Sequence, residues 1–133
     1  FAILGGDNAA LPLASASAPA VVAGGRDRID RVLTHIHTHF DRPLTVDELA
    51  EVAALSPSGL NRMFQRHVGR TISDYIIALR IGAAAARLAQ GDAPIAHIAA
   101  EVGYGALANF TRQCRAAKGM TPRAYRKRFR DGA

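Results

Sequence analysis

Tryptophan is absent from this 133-residue chain, cysteine occurs once, and aromatic residues make up 6% (five Phe, three Tyr). The lone Cys114 excludes an intramolecular disulfide and fits a reducing, cytoplasmic setting. Aromatic and β-branched runs are too few for a sheet core, whereas abundant alanine suits closely packed helices. No apolar run reaches the roughly 20 residues that span a bilayer. The N-terminal stretch lacks a charged segment ahead of a sustained apolar one, so it makes a poor signal peptide. Acidic residues are scarce toward the C-terminus: from Arg112 onward eight Lys or Arg accompany one acid, Asp131. Together with a net charge of +6 this points to a polyanionic partner, with a solvated basic tail as the plain alternative. Position 1 is not Met, and the expectation is a chain cut from something longer.

What is present is a succession of short amphipathic segments. Residues 1–25, rich in Ala, Gly, Ser and Pro, sustain no apolar face and read as an interdomain linker or the end of a preceding effector domain. Residues 26–133 carry the organised part. Ile29, Val32, Leu33, Ile36 and Phe40 recur at helical spacing and predict a first helix ending before Pro43. In "LTVDELAEVA" Thr45 stands as an N-cap and Glu48 three residues on completes a capping box, with Asp47 and Glu48 suiting the helix dipole. After a break at Ala54 and Leu55, Ser56 caps and Pro57 opens a further helix, with Leu60, Met63 and Phe64 inward and Gly69 as its stop. A longer helix over about 73–90 turns Tyr75, Ile76, Leu79, Ala83 and Leu88 inward and ends at "GDAP". A short helix over about 94–102, a break at 103–105, a helix to about 118 and a basic helix opened by Thr121 and Pro122 complete the chain. The expected architecture is all-α, about seven helices.

The order of events repeats. Val46, Leu49, Ala50 and Leu55 match Ile95, Ile98, Ala99 and Tyr104 at an offset of 49. Leu60, Arg62, Phe64, Gly69 and Tyr75 match Phe110, Arg112, Cys114, Gly119 and Tyr125 at an offset of 50. The units are two tandem helix-turn-helix motifs, about 45–69 and 94–118, joined by the 73–90 linker helix. The repeat also assigns Cys114 to a buried stripe, as a small core residue rather than a nucleophile.

A helix-turn-helix lays its second helix in the major groove of duplex DNA, so that helix needs one apolar face and one hydrogen-bonding face. In the first unit Ser58, Asn61, Arg62 and Gln65 fall outward; in the second, Ala108, Thr111, Arg112 and Arg115 do, with Asn109 nearby. Arg pairs bidentately with guanine, Asn or Gln with adenine. Arg62 and Arg112 are favoured because the repeat places them alike, and a solvated face is the alternative for any one of these residues. Helix N-termini at Thr45, Pro94 and Thr121 offer backbone N–H groups to phosphates, and Arg66, Arg123, Arg126 and Lys127 add charge.

Over about residues 28–129 the sequence resembles the AraC/XylS family of bacterial transcription regulators. "LTVDELAEVAALSPSGLNRMFQRHVGRTISDYIIALR" and "IAHIAAEVGYGALANFTRQCRAAKGMTPRAYRKRF" carry the likeness, the second most specifically through "NFTRQ" and "KGMTPRAYR". The resemblance implies a two-lobed domain that docks both recognition helices in successive major-groove segments on one face of the operator. It further implies a separate effector-binding domain, usually N-terminal, through which such proteins form homodimers, and RNA polymerase as a further partner. Three departures stand out: Ala54 where Gly is usual in the first turn, Cys114 where Phe is usual, and Leu107 and Ala108 where some members place polar base readers. The last pair suggests contact with thymine methyls, or a second lobe that binds mostly backbone.

Other chemistries are weakly represented. In "HIHTH", His35 and His39 share a helical face, but no Cys or His-plus-carboxylate pattern completes a metal site, so neither metal nor cofactor is expected. Asp47, Glu48 and Glu51 are explained by capping of a surface helix, and no Gly-rich phosphate loop or Ser-His-Asp set occurs, which argues against an enzyme. A helical RNA-binding or protein-interaction module is the nearer alternative. RNA modules stack bases on exposed aromatics, whereas here the aromatics fall on inward stripes.

Overall fold

The computed structural model describes residues 24–131, so the segment read as a linker lies almost wholly outside the described residues. Seven helices follow one another: α1 (Gly24–His39), α2 (Val46–Ala53), α3 (Pro57–Val68), α4 (Ile72–Gln90), α5 (Ile95–Glu101), α6 (Leu107–Lys118) and α7 (Pro122–Arg126). A π-helical turn over Lys127–Asp131 extends the last. The described residues contain no strand, and the fold is all-α.

Local chemistry sets most boundaries. Thr45, Ser56, Thr71 and Thr121 each accept, through the side-chain oxygen, the backbone N–H three residues on, starting α2, α3, α4 and α7. Gly69 and Gly119 end α3 and α6 in the left-handed region (φ 86° and 75°), where a missing Cβ removes the steric cost. Only half of the expected capping box forms. Thr45 caps, but the Glu48 carboxylate turns away to His35 and Arg42, at 2.6 Å and 2.7 Å, because a guanidinium and a ring nitrogen together outcompete one backbone N–H.

Two cores result. Ile29, Val32, Ile36, Leu49, Ala50, Ala53, Leu60 and Phe64 fill the first, with Ile72 and Ile76 of α4. Ile81, Ala84 and Leu88 of the same helix meet Ile98, Ala99, Val102, Tyr104, Phe110 and Cys114 in the second. The linker helix therefore has two stripes rather than the single expected one. At 3.6 residues per turn, 72, 76 and 79 lie on one side and 77, 81, 84 and 88 on nearly the opposite side. Its N-terminal half closes the first lobe and its C-terminal half founds the second, while α7 closes the second lobe by packing on α4 and α6.

Candidate nucleic-acid interface

Each turn sets the angle at which its second helix leaves the core. In the first, the N–H groups of Ala54 and Leu55 return to Glu51 and Ala50 carbonyls; in the second, those of Gly103 and Tyr104 return to Ala100 and Ala99. The same bonds at an offset of 49 establish that the sequence repeat is a structural one. Both turns need a left-handed residue: Ala54 takes φ 56° and Gly103 takes φ 105°. Ala54 is thus the one non-glycine residue at positive φ among the described residues, a conformation that costs an L residue more than it costs glycine.

With Leu60 and Phe64 fully buried, α3 turns Ser58, Asn61, Arg62 and Gln65 to solvent, and all four expected base readers are exposed. With Phe110 and Cys114 buried, α6 exposes Ala108, Arg112 and Arg115, whereas Asn109 and Thr111 are half-buried. Thr111 is half-buried although its counterpart Asn61, at the same angle from Leu60 as Thr111 is from Phe110, is exposed. Arg112 donates to the Asn109 side-chain oxygen at 2.5 Å, which draws both toward one spot on the helix surface.

The two helices begin differently. Ser56 caps α3, while Ala106 gives α6 no side-chain cap, and Leu107 at its first position is 47% exposed. Gln113, part of the polar cluster on α6, accepts the Tyr104 hydroxyl proton and is thereby tied to the turn. Burial pushes the Cys114 thiol above its usual pKa, against a lowering effect of Lys118, consistent with an inert core sulfur.

The expected phosphate contacts divide. Arg66 and Arg123 are exposed. The Thr45 and Thr121 hydroxyls are occupied by their own caps, leaving backbone N–H groups beside them. Arg126 departs from expectation: its guanidinium donates to the Leu88 and Ala93 carbonyls (3.3 Å and 2.6 Å) and closes the α4–α5 loop. Arg130 pairs there with Gly91 and Asp92. Of the histidines, His35 bonds Glu48 and lies against His39 with ring centroids 4.6 Å apart and planes tilted by 56°, and His37 bonds the Tyr75 hydroxyl. No group of three or more His, Cys, Asp or Glu is placed to hold a metal among the described residues.

Residues 49–128 match the family model described as "Helix-turn-helix domain". The chain is 35% identical over 101 residues to the regulatory protein SoxS of Escherichia coli K12, covering 76% of this chain and 94% of SoxS. The chain belongs to the AraC-type helix-turn-helix family of transcription regulators. A putative AraC-like transcription regulator of Streptomyces antibioticus is 39% identical over 95 residues, 71% of this chain and 31% of that protein. The chain spans 13% of the Bacillus subtilis regulator YtdP, so several relatives are far longer than this AraC-type unit. Among solved structures, the DNA-binding domain of AdpA, in complex with a target DNA, superposes with a TM-score of 0.75 at 23% identity. That alignment covers 79% of this chain and 95% of the AdpA chain. The two-lobed helical arrangement is therefore the AraC-type DNA-binding fold, and the chain is a DNA-binding domain of a transcription regulator. No helix among the described residues is long and apolar enough to cross a membrane.

Proposed function

We propose that this domain reads duplex DNA by laying α3 and α6 in successive major-groove segments, with the first lobe reading bases and the second principally gripping backbone. The observation that carries this reading is the matched, solvent-facing placement of Arg62 and Arg112 on two helices built by the same turn. Around Arg62 stand Ser58, Asn61 and Gln65, a set able to pair with guanine and adenine edges. Around Arg112 stand Ala108, Leu107, Arg115 and the partly covered Asn109 and Thr111, a set better suited to thymine methyls and phosphates.

Charge supports the division. Residues 26–79 hold seven Lys or Arg and seven Asp or Glu; residues 80–131 hold ten and three. Phosphate contacts are assigned to Arg66 and to the backbone beside Thr45 in the first lobe, and to Arg115, Arg123 and the backbone beside Thr121 in the second. Arg123 in the first turn of α7 adds positive charge beside that helix start, whereas α2 has Asp47 there. The AdpA precedent, a domain of this fold with its target DNA, supports the duplex as ligand.

In this reading the protein is a cytoplasmic, non-enzymatic regulator. A separate domain binds the small effector and supplies dimerisation, and RNA polymerase is the downstream partner. The RNA-module alternative is disfavoured because the aromatics of the two helix-turn-helix units are covered, with Phe64 and Phe110 wholly buried and Tyr104 6% exposed; Phe129, 42% exposed, lies outside them. Binding to random duplex DNA and to single-stranded RNA, titrated at several salt concentrations, tests the choice. The duplex is expected to bind more tightly at every salt; preference for the single strand would overturn the reading.

A further inference from the structure

Arg80, half-buried in the middle of α4, was no part of the DNA-facing set. Its Nε donates to the Phe40 carbonyl at 2.7 Å and its Nη2 to the Arg42 carbonyl at 3.0 Å, so it holds the α1–α2 loop of the first lobe. The same guanidinium lies over the Tyr104 ring, 5.7 Å from its centroid, in the turn of the second lobe. Tyr104 in turn donates its hydroxyl proton to Gln113 on α6. A continuous chain of contacts therefore runs from the first lobe's loop, through Arg80, to the second recognition helix.

Gly103 makes the junction tight. A Cβ at Gly103 would sit 2.8 Å from the Phe40 oxygen and 3.0 Å from Arg80 Nε, closer than such atoms approach. The second lobe's turn is thus seated against the first lobe's loop, with Arg80 between them. The repeat separates two duties here. Arg126 and Arg130 hold the α4–α5 loop carbonyls much as Arg80 holds those of the α1–α2 loop. That duty is internal to a lobe, whereas the Tyr104 and Gly103 contacts cross between lobes.

We propose that Arg80 is a positioning residue that fixes the spacing and orientation of α3 relative to α6, and through them the spacer length of the DNA site. The proposal rests on the two-helix duplex reading above. A planar fork with several donors can bond two carbonyls and present a face to an aromatic ring at once; a lysine ammonium has no such plane. Without the fork, the lobes are joined by α4 and by the backbone contact of Gly103 with the Phe40–Asp41 loop, and the distance between recognition helices is held less tightly.

The test uses the whole 133-residue chain with Arg80→Lys, Arg80→Met and Gly103→Ala, the last widening the same junction from the other side. A bipartite site is first selected with the wild-type chain; then affinities are measured on that site and on versions with the spacer changed by one and two base pairs. Thermal stability of each variant is recorded alongside. The wild type is expected to favour its own spacer, and the variants to lose about tenfold of that preference, a size normal for coupling through one contact network. Arg80→Met or Gly103→Ala that binds more weakly at every spacer in equal proportion, with a lowered melting temperature, overturns the proposal and leaves Arg80 a stability residue. A wild-type chain without any bipartite preference overturns the two-helix reading itself, and the spacing role with it.

Discussion

Ala54 carries a cost that its counterpart Gly103 avoids. Its Cβ in the left-handed region (φ 56°) is disfavoured by roughly 1–2 kcal/mol, of which glycine's greater unfolded-state freedom returns a part. Ala54→Gly is therefore expected to raise stability by about 0.5–1 kcal/mol, read as a higher urea midpoint at unchanged slope; a lower midpoint would show that the turn tolerates Ala without strain. Glu48 gives a pH-dependent signature. Hydrogen bonding from Arg42, then from His35, holds its carboxyl at about 2, below its ordinary 4.5. A depressed folded pKa stabilises above the unfolded value and is lost as pH falls, so this contribution declines between about 4.5 and 2. Denaturation midpoints of wild type and Glu48→Gln should thus converge as pH is lowered through that window. Curves that stay parallel would mean that the Arg42 and His35 contacts do not hold the carboxylate in solution. Cys114, 2% exposed, is expected to resist water-soluble thiol reagents until the protein unfolds.

At the scale of the helix, α3 and α6 were legible because repeats, caps and glycine stops are local: Ser56, Pro57 and Gly69 announce one helix, Gly119 and the Phe110–Cys114 stripe the other. What was not legible depended on long-range partners. Nothing in the residues around Arg126 distinguishes a phosphate ligand from a side chain bonded to carbonyls at Leu88 and Ala93, 38 and 33 residues away. The double stripe of α4 hid for the same reason, since its halves serve different cores and no single period describes both. Thr111, outward by analogy with Asn61, is half-buried although the two share a helical phase, so phase alone does not set how far a flanking position is covered. Arg62→Ala is expected to relax base preference at one position of the site at a cost of about 1–3 kcal/mol. Equal weakening on all sequences would make Arg62 a phosphate contact. The corresponding Arg112→Ala should weaken binding with a smaller change in preference, since its helix surrounds it with Leu107 and Ala108.

On the scale of the whole molecule, two lobes share one helix and divide the electrostatics unequally, with almost all excess positive charge after residue 80. Counterion release makes log K fall with log salt by about 0.9 per neutralised phosphate. Removing Arg115 or Arg123 should therefore flatten the salt dependence by about one such unit each, while leaving the ranking of DNA sequences unchanged. Selection of binding sites from a randomised duplex library with the 133-residue chain tests the central claim most directly. The account predicts a bipartite motif whose two blocks lie about one helical turn, 10–10.5 base pairs, apart, with the block facing α3 the more sharply defined. A library that returns no enriched sequence, or one whose only sharp block depends on Arg112 rather than Arg62, would contradict it.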